Sequence, residues 1–239
     1  MRKPAYLMGV TMNGKHSFRD YHMIIGNTNP VGAPEPYTQT VDVPFGSPID
    51  LTEFTGGVTY VSRPITLKMG CMNDVEDWPR YLSQLYSDLQ GKTVKFVFDE
   101  DKNFFYVGRA TLSDYDRAQE LGTFTISSQA NPYKYDILSA AEEWLWDPFN
   151  FNTDIARGYG SIEVGAEPKT VIIAGSQKPV SPTISSNAQI TVEFEGQEYQ
   201  LQNNVPRTIY DIVLKDGKNE LIFKGGPALV SVDFRGGYL

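Results

Sequence analysis

Residues 94–112 read VKFVFDEDKNFFYVGRATL, two runs of β-branched and aromatic residues around a polar pentapeptide. Such runs favour strands, and the polar segment DEDKN at 99–103 is typical of a hairpin turn. Asp99, Glu100 and Asp101 could bind a hard cation there, but they lack the ligand spacing of a calcium loop. We therefore interpret this stretch as an antiparallel hairpin with a solvated turn, inside a mainly β fold.

Further strands are predicted on both sides of the hairpin. Residues 122–129 read GTFTISSQ and continue the β pattern toward the C-terminus. Upstream, alternate residues from Thr59 to Met69 form a mostly apolar face. Pro64 lies on the opposite face, and a proline within a strand predicts a sheet edge or a bulge.

One helix is predicted, within DVEDWPRYLSQLYSDLQGK at residues 74–92. Its apolar stripe has spacings of four, three and four residues and consists of Trp78, Leu82, Leu85 and Leu89. Asp74 or Asp77 can cap the start, Pro79 suits the first turn, and Gly91 is placed to end the helix. This is the one segment of the chain in which helical periodicity is convincing.

The C-terminal part of the chain predicts a second all-β unit. Short alternating runs VIIAG, ITVEFEGQEYQLQ, TIYDIVLKDGKNELIF and ALVSVDF are separated by turn residues at 195–197 and 216–218. Strands at this spacing favour a β-sandwich. The preceding segment SAAEEWLWDPFNFNTD lacks alternation and predicts a linker. The expected domains are therefore 1–138 and 155–239, joined by a linker at 139–154.

Composition excludes several classes of function. The net charge is −8 and no basic stripe is present, so binding to nucleic acid or to an anionic membrane is not expected. A single cysteine excludes an internal disulfide, and with two histidines it cannot build a zinc site. The apolar runs are far shorter than the roughly 18 residues of a membrane span. The start MRKPAYLMGV is a poor secretory signal, so synthesis and assembly in a cytosol are expected.

Candidate catalytic and ligand-binding residues are few. His16 and His22 would share one face if their segment were a strand, and they could then act as an acid–base pair or serve structure alone. Cys71 is either a nucleophile with a base beside it or a small buried hydrophobe. Trp144 and Trp146 could stack on a sugar or pack between the domains. No phosphate loop or nucleophile elbow occurs, and we expect no enzymatic activity, cofactor or metal.

An acidic and apolar segment at 41–54, VDVPFGSPIDLTEF, predicts a long hairpin. Its carboxylates Asp42, Asp50 and Glu53 have no catalytic partner in the sequence pattern. An isolated hairpin is marginal in water, so its apolar side chains need a partner surface, which another subunit can provide. The residues expected at this subunit interface are Val41, Val43, Phe45, Ile49 and Leu51.

Taken in order, these segments resemble the distal tail protein (Dit) family of siphophages and related prophages. The N-terminal resemblance is carried by MNGKHSFRDYHMII, PEPYTQTVDVPFGSPIDLTEFTGG, VTYVSRPITLKM, WPRYLSQLYSDLQGK, VKFVFDEDKNFFYVGRATL and GTFTISSQANPYKYD. The C-terminal resemblance is carried by ISSNAQITVEFEGQEYQLQ, LKDGKNELIFKG and VSVDFRGGYL. Together the segments cover almost the whole chain, and their order is more specific than any one of them.

The resemblance implies a structural role. Dit proteins form hexameric rings at the tail tip, where they join the tail tube to the tail-tip protein (Tal) and often to receptor-binding proteins. The resemblance implies a ring-forming N-terminal β-sandwich-like domain with one helix and a protruding belt hairpin at about 37–69. It also implies a galectin-like C-terminal β-sandwich, here in a short form, and a location in the virion tail tip. The alternative is a carbohydrate-binding β-sandwich module that recognises a host surface.

Overall fold

The computed structural model describes residues 9–54, 57–71, 78–118, 121–142 and 158–239, with the side chains of 71, 114, 117, 118 and 121 excepted. The chain divides into two compact units, Met1–Lys134 and Tyr135–Leu239. The mainly β prediction is confirmed, since strands make up 48% of the structure, with one helix in the described part. None of the described residues form a helix long and apolar enough to cross a membrane.

Unit 1 is built on one antiparallel sheet. The first nine strands are β1 (Val10–Met12), β2 (Lys15–His16), β3 (Met23–Ile25), β4 (Thr40–Val41), β5 (Ile49–Asp50), β6 (Arg63–Cys71), β7 (Thr93–Phe98), β8 (Phe104–Ala118) and β9 (Leu121–Ala130). Seven of them pair in the order β2-β1-β7-β8-β9-β6-β3, and β4 and β5 form a separate two-stranded sheet. The predicted hairpin at 94–112 is confirmed, because β7 and β8 pair directly.

The core of unit 1 lies on one face of this sheet. The apolar side chains at alternate positions of its strands point to that face. On β6 the predicted face is confirmed, with Ile65, Leu67 and Met69 buried. The helix α1 (Trp78–Leu89) packs against the same core through Trp78, Leu85 and Leu89, and Leu82 is partly buried there. Each such buried side chain contributes about 1.5–3 kcal/mol. The sheet and the helix thus share one hydrophobic core.

The helix ends where the sequence predicts. Gly91 has a φ of +68°, a left-handed conformation that glycine adopts without steric cost. Pro79 occupies the first turn, as expected. The two candidate capping residues, Asp74 and Asp77, lie outside the described residues.

Pro64 lies in β6, and its backbone carbonyl faces away from β9. The Gly32 N–H donates to the Pro64 carbonyl at 2.8 Å, and the Thr66 N–H donates to the Pro30 carbonyl at 2.7 Å. The missing proline N–H therefore faces the segment around Val31 rather than the β9 ladder. Because β3 pairs with β6 only from Met69 to Cys71, Pro64 lies beyond the end of β3, where an isolated bridge between Val31 and Ile65 covers this side of β6.

A polar network joins the helix to the start of the sheet. The Asp88 carboxylate accepts hydrogen bonds from Lys15 Nζ at 2.6 Å and from the Tyr21 hydroxyl at 2.9 Å. The Lys15 hydrogen bond is the main cause that holds the pKa of Asp88 below its ordinary value. Burial, followed by the bond to Asp88, raises the pKa of Tyr21 well above its ordinary value.

This network predicts a loss of stability in alkali. The fold favours the neutral Tyr21 phenol, whereas an unfolded tyrosine ionises near pH 10. The contribution of the neutral Tyr21 phenol to the free energy of unfolding is therefore complete below about pH 10. It is lost as the pH rises above that value. We expect the free energy of unfolding, from urea titrations at pH 8 and pH 11, to fall more for the wild type than for Tyr21→Phe. Equal falls in the two proteins would contradict this assignment.

Unit 2 is a β-sandwich, as predicted. The strands from residue 134 onward are β10 (Lys134–Asp136), β11 (Ile162–Val164), β12 (Lys169–Ala174), β13 (Thr183–Ser186), β14 (Ile190–Phe194), β15 (Gln197–Leu201), β16 (Arg207–Thr208), β17 (Lys218–Lys224), β18 (Ala228–Asp233) and β19 (Gly237–Tyr238). Two four-stranded sheets have the orders β11-β18-β13-β16 and β12-β17-β14-β15, and β10 pairs with β19. Residues of both four-stranded sheets share one buried cluster, which includes Val232 and Phe223.

Two sequence-based expectations for unit 2 have different outcomes. The turn at 195–197 is confirmed, since Glu195 and Gly196 both have positive φ in a two-residue hairpin loop between β14 and β15. The strand expected from Thr208 to Lys215 is mostly absent. Ile209, Ile212 and Leu214 are all buried, and their spacing does not follow the two-residue period of a strand.

Candidate functional site

Among the described residues of unit 1, a set of exposed apolar side chains lies on an arm, defined here as residues 35–54 and 57–61. At its centre β4 and β5 pair with the register Thr40 to Asp50 and Val41 to Ile49. Backbone hydrogen bonds continue toward its base, from Leu51 to Gln39 at 2.8 Å, from Tyr37 to Thr59 at 2.8 Å and from Val61 to Glu35 at 3.0 Å. The arm is therefore a hydrogen-bonded hairpin, as its alternating sequence predicts.

The predicted interface residues lie together on this arm. Val41 and Ile49 are directly opposite each other and share one face of the ladder, and Val43 and Leu51 follow them by two residues each, just beyond the ends of β4 and β5. The exposed fractions are 45% for Val41, 37% for Val43 and 52% for Ile49, and Leu51 is partly buried. Single exposed apolar residues are ordinary on a protein surface, but a contiguous set marks an interaction site.

Phe45 occupies the tip of the arm and is fully exposed. The Gly46 N–H donates to the Val43 carbonyl at 3.0 Å, and Phe45 has a φ of +63°. Pro44 precedes it, so the geometry is that of a type II turn in which glycine is the favoured residue at the Phe45 position. A phenylalanine in this conformation costs about 1 kcal/mol or more. A strained and exposed aromatic side chain is a candidate for a contact residue.

Two further aromatic side chains on the arm were missed by sequence reasoning. Phe54 is 83% exposed and Tyr37 is 56% exposed. Tyr37 lies before the segment 41–54 from which the interface residues were predicted, and Phe54 is the last residue of that segment, beyond the alternating positions. Their signal in the sequence was the presence of large aromatic residues in a segment rich in proline and glycine.

The acidic residues of the arm do not converge on a site for chemistry. Asp50 accepts hydrogen bonds from the Thr52 N–H at 2.8 Å and from its hydroxyl at 2.5 Å, and these bonds lower the pKa of Asp50. The Thr52 hydroxyl oxygen in turn accepts from the Gln39 N–H at 3.1 Å. Asp50 therefore holds Thr52, whose hydroxyl makes the bond across the hairpin, and Asp42 and Glu53 are exposed.

The exposed arm is shorter than the expected belt segment 37–69. Residues 63–69 belong to β6, which pairs with β9 along its whole length. Their apolar side chains are part of the core of unit 1, so they cannot also serve an external surface. The exposed part ends near Val61.

The two histidines do not form a pair. His16 Nδ1 accepts the N–H groups of Phe18 and Arg19 at 3.1 and 3.3 Å, which leaves Nε2 to donate to Asp99 at 3.1 Å. Asp20 accepts the His16 N–H at 2.6 Å. The expected strand across this segment is therefore wrong, because these side-chain bonds favour turns, which occupy residues 17–21.

The other candidate residues have different outcomes. The acidic turn after β7 is structural, with Asp99 bonded to His16 and Asp101 paired with Lys134 at 2.7 Å. The Cys71 side chain and both Trp144 and Trp146 lie outside the described residues, so their assignments remain predictions. Within the described ranges, no group of three His, Cys, Asp or Glu side chains could hold a metal ion.

The sequence and the structure were both compared with known proteins. No family model matches the sequence, and no curated protein matches it. The structure is similar to the crystal structure of the SPP1 Dit (gp 19.1) protein, described as a paradigm of the hub adsorption apparatus in phages that infect Gram-positive bacteria. The TM-score is 0.61 at 14% sequence identity, and the match covers 98% of this chain and 100% of that chain. The chain therefore has a Dit-like distal tail protein fold.

Proposed function

We propose that this chain is a structural, non-enzymatic phage tail protein that forms a homo-hexameric hub at the distal end of the tail. In this role it joins the tail tube to the tail-tip protein (Tal) and the adsorption apparatus. The observation that supports the proposal most strongly is the likeness to SPP1 Dit, a hub protein, over 98% of this chain. Because the match covers 98% of the chain, it includes residues of both units.

The arm supplies a physical reason for assembly. Val41, Phe45 and Ile49 are exposed on a hairpin in which residues 35–50 are all exposed. Burial of each of these side chains against a neighbouring subunit would contribute about 1.5–3 kcal/mol. We propose that the arm lies on the next subunit of a ring, with its apolar face and its aromatic tip at the contact.

Unit 2 has a separate proposed role as a docking platform for the tail-tip protein or a receptor-binding protein. A β-sandwich fold by itself does not establish sugar binding, because function resides in particular sites on a fold. The proposed location is the tail tip of the virion, after assembly in the host cytoplasm.

Electron microscopy tests the proposal. The chain would be purified alone and also after co-expression with the tube and tip proteins of the same phage. We expect ring-shaped particles with six-fold symmetry in at least one of the two samples, and co-purification of the partner proteins in the second. Monomers in both samples, without co-purification, would contradict the proposed hub.

A further inference from the structure

Outside the arm, the exposed large apolar side chains in the described part of unit 1 lie on α1 or beside it. They are Phe18, Tyr86 and Tyr115. Tyr86 belongs to the helix, and the Tyr115 ring lies 5.8 Å from the ring of Trp78, the first helical residue. Phe18 is 49% exposed and lies in the turn at residues 17–21, whose Tyr21 is bonded to the helix. Apolar contact area for a partner is therefore concentrated around α1.

The turn at residues 17–21 and the following residue, His22, are held against one flank of α1. The Tyr21 hydroxyl donates to Asp88, and the His22 ring lies edge to face with the Tyr81 ring at a centroid distance of 5.6 Å. The His22 N–H donates to the Phe18 carbonyl at 3.1 Å, so Phe18 and His22 lie one turn apart. The turn and the helix flank thus form one continuous surface.

This surface combines aromatic side chains with exposed cations. Next to Phe18 and Tyr81 in the sequence are Arg19 and Arg80, and both arginines are exposed. We call Phe18, Arg19, His22, Arg80 and Tyr81 the aromatic–basic patch. Arginine and aromatic residues are the side chains that protein–protein interfaces enrich most.

The charge of this region differs in sign from that of the whole chain. Residues 15–22 and 78–89 carry three basic and two acidic side chains, a net charge of +1, whereas the chain has −8. Both carboxylates have partners within the chain, since Asp88 accepts from Lys15 Nζ at 2.6 Å and Asp20 accepts from the His16 N–H at 2.6 Å. The patch therefore suits an acidic partner that also offers apolar side chains.

The arm has this complementary character. It contains no basic residue, and its four acidic residues are Glu35, Asp42, Asp50 and Glu53. Its exposed aromatic side chains are Tyr37, Phe45 and Phe54. Arginine pairs with carboxylates and stacks on aromatic rings, so the arm offers both kinds of group that Arg19 and Arg80 can bind.

We propose that the arm of one copy of this chain binds the aromatic–basic patch of a second copy. The apolar face and the aromatic side chains of the arm pack on Phe18 and Tyr81, and the exposed carboxylates of Asp42 and Glu53 face the two arginines. The inference rests on the proposed function, because it names the surface that receives the arm in the assembly. A second copy is the occupant that the complementary charges of the arm and the patch favour.

Charge reversal tests the proposal on the full chain, in the sample that forms rings. Arg19→Glu with Arg80→Glu should weaken assembly by roughly 10-fold or more, because each reversal replaces an attraction by a repulsion. The matched control, Lys68→Glu with Lys102→Glu, makes the same change of net charge at exposed lysines of unit 1 and should assemble like the wild type. Sedimentation velocity measures assembly, and circular dichroism verifies the fold.

A compensating variant identifies the arm as the occupant. Asp42→Lys with Glu53→Lys should also weaken assembly, because it opposes the arginines with lysines. Combination of the two arm reversals with the two arginine reversals restores opposite charges across the contact and the net charge of the wild type. The combined variant should therefore assemble better than either parent. Assembly that is no better than that of both parents would contradict the pairing of arm and patch.

Crosslinking locates the contact without altering the patch. Phe45→p-benzoylphenylalanine would be introduced in the full chain, and copies labelled with ¹⁴N and ¹⁵N would be mixed before assembly. After irradiation, mass spectrometry should find crosslinks between the two labels that lead to residues 15–22 or 78–89. Crosslinks that lead to another surface of the second copy, or to a different protein, overturn the proposal. Should the arginine variant fail to fold, this measurement decides alone.

The proposal and the hub can be told apart by their failures. An assembled wild type whose arginine variant assembles as well as the lysine control overturns the proposal and leaves the hub intact. A wild-type chain that stays monomeric, alone and with the tube and tip proteins, contradicts the hub, and the proposed contact falls with it.

Discussion

Replacement of both Phe45 and Ile49 by aspartate is expected to abolish assembly and leave both units folded. Phe45 is fully exposed and Ile49 is 52% exposed, so the substitutions remove few contacts within the chain. At a subunit contact they remove about 3–6 kcal/mol of apolar burial, equivalent to roughly 10²–10⁴-fold in the association constant. Burial of the new charges adds a further penalty. Sedimentation velocity gives the assembly state, and circular dichroism verifies the fold.

The matched control places the same two charges elsewhere on the arm. Thr38→Asp with Ser47→Asp adds aspartates at exposed polar positions of the same hairpin. This variant should assemble far better than the Phe45 and Ile49 variant, because it leaves the apolar face intact. Phe45→Gly, which suits the positive φ of the turn, isolates the loss of the aromatic side chain from any strain. Full assembly of the Phe45 and Ile49 variant would show that the arm is not at the contact.

Gly122→Ala is expected to destabilise unit 1 by about 3 kcal/mol. Overpacking of a core and displacement of a buried aromatic side chain both cause losses of stability of this size. A Cβ at position 122 would lie 2.0, 2.2 and 2.5 Å from three ring atoms of Trp78. Trp78 is 1% exposed and begins α1, so the ring can move only by disturbing the contact between helix and sheet. Urea unfolding followed by circular dichroism measures the change.

Gly70→Ala is the matched control for this substitution. Gly70 lies on the neighbouring strand β6, opposite Thr123, and a Cβ there would have no atom within 4 Å. Its effect should stay within about 0.5 kcal/mol. Equal stability of the Gly122→Ala and Gly70→Ala proteins would contradict the packing described for Trp78.

Strong periodicity explains which elements could be predicted from the sequence. The apolar stripe of the helix at Trp78–Leu89 has the 3.6-residue period, β7 alternates in burial, and both strands of the β7–β8 hairpin are rich in β-branched and aromatic residues. The segment after His16 also alternates, but the Asp20 carboxylate and the His16 ring bind nearby backbone N–H groups and stabilise turns instead. A local side-chain bond of this kind competes with strand formation and leaves no periodic signal.

The candidate site could be predicted only in part. Alternation placed Val41, Val43, Ile49 and Leu51 on one face, and their exposure agrees with a surface that a partner could cover. The strained turn at Phe45 depends on backbone torsions that sequence pattern does not give. Arg63 looked like one polar residue on an apolar strand face, and its burial is given only by the structure.

The central claim is that this chain is a hub at the distal end of a phage tail. The most direct test is immunogold electron microscopy of tailed particles that carry an epitope-tagged form of the chain. The account predicts gold label at the tail tip, on the end of the tail opposite the head. Intact tails with no label, or label distributed along the tube, would contradict it.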